Sequence, residues 1–120
     1  MKNIEVKSFD KADETRPFEG HGHADYVKVG DKAVIRGTFE PGWRWSNDVK
    51  PIAGTESCQA AHLGYMLQGR MRVLMDDGTE QELTEGEVVA IRPGHDAEVV
   101  GNETVVMVDF GEIADYAQRR

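Results

Sequence analysis

Apolar and polar residues alternate at a period of two through much of the chain, the pattern of half-buried strands whose successive side chains face opposite sides. Residues 2–8 alternate in this way and predict a first strand. The run KADETRPFEGHGH that follows gathers acidic residues, Pro17 and glycines, and predicts a polar connection. Strands are predicted over 24–29 and 33–40 around the turn residues Gly30, Asp31 and Lys32, with Pro41 and Gly42 ending the second. The polar, Pro-containing run SNDVKPIA, residues 46–53, predicts a loop.

From His62 to Leu67 the alternation predicts a strand that runs into a hairpin at Gly69 and Arg70. RMRVLM alternates next, Asp76, Asp77 and Gly78 form a strong turn, TEQEL pairs back, and Glu85 with Gly86 turns again. EVVAIR is stopped by Pro93 and Gly94, AEVV follows, Asn102 marks a turn, and TVVMVDF closes the series before EIADYAQRR, which favours a helix. About nine short strands with turn signals between them, and at most one terminal helix, predict a closed all-β architecture, a small barrel or jelly roll. At 120 residues the chain fits a single domain, 1–120, large enough to bury a real core.

Charge narrows the partners. A net charge of −8 and an isoelectric point near 4.9 oppose binding to nucleic acid or to an anionic membrane. The opening residues lack a signal-peptide core and no apolar run reaches membrane-spanning length, so the expected setting is the cytoplasm. The single cysteine, Cys58, has no intrachain disulfide partner, and its thiol is free or bound to metal.

The candidate chemistry lies just upstream of the predicted strand at His62. In an extended chain Glu56, Cys58 and His62 share parity, so a carboxylate, a thiol and an imidazole can project from one face. Such a set suits zinc, iron, nickel or copper and suits calcium or magnesium poorly. With four ligands the site is closed and structural; with three, one position stays open for water or substrate. The bland alternative makes Cys58 and His62 core residues of a metal-free barrel with an apolar pocket. His21 and His23 form an H-x-H pair, but the flanking glycines predict a solvated loop without fixed imidazole geometry. Trp43 and Trp45, two apart, share a face and either fill the core or line a ligand pocket. Met66 has the inward parity of His62, and Tyr65 the outward one.

The run HLGYMLQGRMRV, followed by DDGTEQELTEGEVVAIRPGHDA, resembles the two conserved boxes of the cupins, small double-stranded β-helix barrels that hold a metal or a small molecule inside. The similarity spans residues 38–110 and is greatest to single-domain cupins, mostly without assigned activity. It implies a double-stranded β-helix with a short C-terminal helix, and pairing of barrels into a homodimer through their sheets. The metal motif departs from the family pattern: Glu56 and Cys58 stand at the two histidine positions of the first box, His62 at the glutamate position, and Ala97 where the second box carries histidine. His95, in the turn after Pro93, is the substitute donor on offer. Two functions follow. One is a non-catalytic binding or sensor module with a metal ion or small molecule in the barrel, Trp43, Trp45 and Met66 contacting the ligand. The other is a metal-dependent small-molecule enzyme of oxygenase or isomerase type, with Cys58, His62 and either Glu56 or His95 as ligands.

Overall fold

The computed structural model describes residues 3–119. Among them, nine strands form two sheets: β1 (Glu14–Pro17), β2 (Gly22–Val29), β3 (Lys32–Phe39), β4 (His62–Gln68), β5 (Arg70–Met75), β6 (Glu80–Thr84), β7 (Val88–Ile91), β8 (His95–Val99) and β9 (Val105–Asp109). The six-stranded sheet has the order β1-β2-β3-β9-β4-β7 and the three-stranded sheet the order β6-β5-β8. All pairings are antiparallel. Among the described residues no helix is long and apolar enough to cross a membrane.

The inward parity of each strand builds the core between the sheets. β9 buries Val105, Met107 and Asp109, β5 buries Met71 and Val73, and β4 buries Gly64 and Met66. Phe18, Phe39 and Trp43 stack at one end, with Phe39 and Trp43 ring centroids 4.5 Å apart. Burial of these aromatics is a large share of the apolar driving force, because each ring removes roughly 150–250 Å² from water.

The structure corrects the sequence reading at several places. Residues 3–8 form no strand. Ile4 and Val6 are 78% and 83% exposed, so their alternation has no core to face. The first strand is instead Glu14–Pro17, inside the predicted connection, where Arg16 is the inward residue and only 5% exposed. The chain does not fold back as a hairpin at Gly69: β4 lies between β9 and β7 while β5 lies between β6 and β8. Gly69, with φ of 85°, carries the chain from one sheet to the other. A glycine between two alternating runs signals a turn of either kind, and only the packing of the two sheets decides which.

Residues 46–53 are no simple loop but two single-turn helices, α1 (Trp45–Asp48) and α2 (Lys50–Ala53), the first held by Asp48 accepting from the Arg44 amide and the second ended by Gly54 in the left-handed region. The expected C-terminal helix is also absent: residues 114–117 make turns. Arg16 fastens these turns, its guanidinium donating to the carbonyls of Ala114 and Tyr116 at 2.7 and 3.0 Å. Ala117, with φ of 55°, breaks the helical path as well.

Candidate metal centre

The site forms where three separate strand ends meet. Cys58 lies outside the named strands but bridges to β8: its amide donates to the His95 carbonyl at 2.7 Å, and its own carbonyl accepts from the Gly94 amide at 2.7 Å. This pairing sets the thiol beside the His95 imidazole. His95 itself opens β8 and is 3% exposed, so it belongs to a strand rather than to the turn expected after Pro93. It shares the inward face with Ala97, two residues on, the position where the cupin pattern carries histidine. His62 opens β4 and Asp109 ends β9, and the pairing of those strands brings the two side chains together.

The donor atoms of Cys58, His62 and His95 all lie within 4.8 Å of one another. Cys58 Sγ is 3.7 Å from His62 Nε2. Each imidazole has its other nitrogen occupied by a protein acceptor: His62 Nδ1 donates to Asp109 Oδ2 at 2.5 Å, and His95 Nδ1 donates to the Arg92 carbonyl at 2.7 Å. Nε2 is thereby left as the ring nitrogen of each histidine that can bond a ligand, once any proton on it is lost. Asp109 is 4% exposed, and its other oxygen accepts from the amides of Leu63 and Gly111 at 3.3 and 3.0 Å.

Electrostatics reinforce this geometry. Burial pushes the Cys58 thiol up, but hydrogen bonds and charge from His62 and His95 outweigh it and bring the group from 9.0 down to about 6. Burial pushes His62 down, yet hydrogen bonds to Asp109 and Cys58, with their charges, raise it from 6.5 to about 9. Near neutral pH and without metal, the pair is therefore a thiolate beside an imidazolium. Tyr116 packs edge-on against His62 with centroids 5.7 Å apart. Burial, and then the charges of Cys58 and Asp109, hold its phenol well above its ordinary value, so it stays neutral.

The donors line a partly open cavity of about 30 Å³, together with apolar residues such as Ile35, Met71, Val73 and Met107 and with Trp43 and Trp45. Both indoles are 2% exposed, and both Nε1–H groups are buried without a hydrogen-bond partner. Trp45, Cys58 and Tyr116 also border an outer groove of about 540 Å³, so these three form the wall between the inner cavity and the surface.

Of the residues singled out in the sequence, Cys58, His62 and His95 converge, and Trp43 and Trp45 line the cavity next to them. Glu56 does not join them. Its side chain is 98% exposed and pairs with Lys50 at 3.2 Å, because the chain between Glu56 and Cys58 is bent rather than extended and shared parity has no meaning there. Met66 is fully buried in the core but is not among the cavity-lining residues. His21 and His23 lie apart from the cluster, against Asp48 at 3.1 Å and Asp25 at 3.4 Å. Sequence reasoning missed Asp109 and Tyr116. Asp109 carried a signal: a carboxylate on the inward parity of the apolar run VVMVD. Tyr116 carried none, since its place depends on the turns that Arg16 fastens.

No protein-family model and no curated protein matches the chain. Solved structures do. An RmlC-like cupin from Shewanella frigidimarina aligns with a TM-score of 0.59 at 16% identity, covering 92% of this chain and 96% of that one. An uncharacterised conserved protein with a double-stranded β-helix domain from Klebsiella pneumoniae aligns with a TM-score of 0.60 at 17% identity, covering 89% and 88%. Oxalate decarboxylase from Lactobacillus farciminis, in a formate complex, aligns with a TM-score of 0.62 at 19% identity over 93% of this chain, which spans only 33% of that enzyme. At these identities the likeness speaks for the fold, and the two antiparallel sheets agree with it: this chain has the double-stranded β-helix fold of the cupins.

Proposed function

We propose that the protein holds a divalent transition metal ion through Cys58 Sγ and the Nε2 atoms of His62 and His95, and binds a small molecule beside it in the barrel interior. The observation that carries this reading is the convergence of three donors within 4.8 Å, with both Nδ1 atoms tied to protein acceptors. The donor set fits. Ligand bonds to zinc are about 2.0–2.3 Å, so two ligands on one tetrahedral ion lie roughly 3.3–3.8 Å apart, close to the 3.7 Å between Cys58 and His62. One thiolate with two imidazoles selects zinc, iron, nickel or copper over calcium or magnesium. A thiolate is the more easily oxidised form of cysteine, so this reading requires a reducing setting such as the cytoplasm.

A second reading, a metal-dependent small-molecule enzyme, is favoured by one specific observation. With Glu56 at the surface the protein supplies three donors rather than four, and a three-donor centre keeps a position open. An ion there would supply Lewis-acid polarisation of the molecule it binds. The chain's own part is to orient both imidazoles through Asp109 and the Arg92 carbonyl, and to keep bulk water out behind Trp45 and Tyr116.

Elemental analysis of untagged protein, purified under reducing conditions, tests the metal. Wild-type protein is expected to carry close to one ion per chain. Cys58→Ser, His62→Ala and His95→Ala each lower that content strongly, and Glu56→Gln, His21→Ala and His23→Ala leave it unchanged. Wild-type protein that takes up no transition metal, or metal that follows His21 and His23, overturns the reading.

A further inference from the structure

Cys58, His62 and Asp109 form a chain of contacts that can act without a metal ion. Cys58 Sγ lies 3.7 Å from His62 Nε2, and His62 Nδ1 lies 2.5 Å from Asp109 Oδ2. A nucleophile within hydrogen-bond reach of a base, with that base held by a third group, is the arrangement that activates a thiol for covalent chemistry. The amides of Leu63 and Gly111 fix Asp109 in turn, so the third group is itself held. All three residues line the same partly open cavity, and His95 lies beside the sulfur, with its donor atom within 4.8 Å.

The cavity limits what the sulfur can attack. Its volume is about 30 Å³, and a water needs roughly 10–15 Å³ on the same measure, so a reactant of about two heavy atoms fits. The lining residues include no lysine or arginine and do include the Asp109 carboxylate, so a neutral reactant is favoured over an anion. Esters and most amides are larger, and acyl transfer needs donors placed for an oxyanion as well. Hydrogen peroxide meets both limits: it is neutral, it has two heavy atoms, and its weak O–O bond is open to attack by sulfur.

We propose that Cys58 of the metal-free protein is a peroxide-reducing thiol, with His62 as the carrier of its proton. This activity uses a sulfur that the metal reading also uses, but it does not rest on that reading. The Cys58 proton passes to His62 Nε2 as Sγ attacks one peroxide oxygen. An S–O bond forms, the O–O bond breaks, and His62 returns the proton to the departing oxygen, which leaves as water. The sulfur is oxidised to a sulfenic acid and the peroxide is reduced. The chain has no second cysteine, so the thiol is restored by two equivalents of a small external thiol. The first displaces water to give a mixed disulfide, and the second frees Cys58 and leaves as the external disulfide.

The test uses the full chain, reduced, treated with a chelator and freed of reductant, in excess hydrogen peroxide at pH 7. Remaining thiol is counted under denaturing conditions, and with one cysteine in the chain the count follows Cys58 alone. An ordinary thiol is about 3% ionised at that pH, so complete ionisation by itself accelerates the reaction at most ~30-fold over free cysteine. Wild-type protein is expected to exceed that limit, with dimedone trapping a sulfenic acid on Cys58. His62→Gln is expected to lower the rate about tenfold or more, as loss of a positioned proton carrier does. A wild-type rate within the limit set by ionisation overturns the proposal whether or not the variant folds. A smaller fall in folded His62→Gln removes His62 from the step.

Discussion

His62 donates its Nδ1 proton to Asp109 Oδ2 over 2.5 Å, and that one bond turns the opposite edge of the imidazole toward the Cys58 sulfur. The carboxylate is in turn fixed by the Leu63 and Gly111 amides, so a backbone corner at the end of β9 sets the direction of a donor on β4. Asp109→Asn places an amide NH₂ among three N–H donors and leaves at least one of them without an acceptor. Metal affinity is expected to fall about 10–100-fold, the usual effect of losing a partner behind a ligating histidine. Competition with a chromophoric chelator measures it, and an affinity equal to wild type would show that Asp109 has no orienting role.

Proton release gives a second expectation. In metal-free protein Cys58 titrates near 6 and His62 near 9, so between those values the thiol is already ionised while His62 still carries a proton that the ion must displace. Apparent metal affinity should therefore rise about tenfold per pH unit across that window, more steeply below 6 where Cys58 must also ionise, and level off above 9. Calorimetric titration in buffers of different ionisation enthalpy counts the protons directly. About one per ion is expected near neutral pH, and none would contradict the imidazolium.

Much of the fold was legible because its strands alternate cleanly and its turns use Asp, Gly and Pro in recognisable places, as at Asp76 to Gly78. Cys58 and His62 came into consideration through shared parity, and His95 joined them only through the resemblance to the second cupin box, where it was read as part of a turn rather than of a strand. What stayed hidden depends on long-range packing. Whether Gly69 makes a hairpin or crosses between sheets is decided by β9, which inserts beside β4 from far along the chain. Glu56 was misread because parity holds only in extended chain, and residues 55–57 bend. Where a terminal helix was expected, the chain makes turns fastened by a guanidinium from β1 that no local pattern announces.

Gly69 and Gly101 both have φ of 85°, so any side chain at either position meets backbone strain. They differ in space. A Cβ at Gly69 would lie 2.9 Å from the Thr104 carbonyl oxygen and 2.9 Å from Val105 Cγ2, whereas at Gly101 nothing lies within 4 Å. Gly101→Ala is expected to cost about 1 kcal/mol and Gly69→Ala at least 2–3 kcal/mol, the excess coming from the clash. Urea midpoints compare them, and equal values would remove the inter-sheet crossing as a tight constraint.

The outer face of the six-stranded sheet leaves Leu63, Tyr65 and Leu67 of β4 and Val88 of β7 at 40–73% exposure, with Tyr65 opposite Val88 and Val108 in register. We propose that this face pairs with a second copy of the chain, since a contiguous apolar patch on a sheet is costly to leave in water. Light scattering should give twice 13.4 kDa for wild type and the single-chain mass for Tyr65→Glu. A wild-type monomer at high micromolar concentration would refute the dimer.

Arg16 and its two carbonyl partners lie 98 and 100 residues apart in sequence, yet Tyr116, which they hold in place, forms part of the wall around the donors. During synthesis the chain emerges from its first residues onward, so every donor, including Asp109, is made before Tyr116. The wall around the donors is therefore completed by a segment held from far along the chain, and it stays incomplete until that segment is docked. Docking of the tail is a non-local event of the kind that slows folding, so the side of the barrel that Tyr116 closes depends on the slowest class of contact the fold contains.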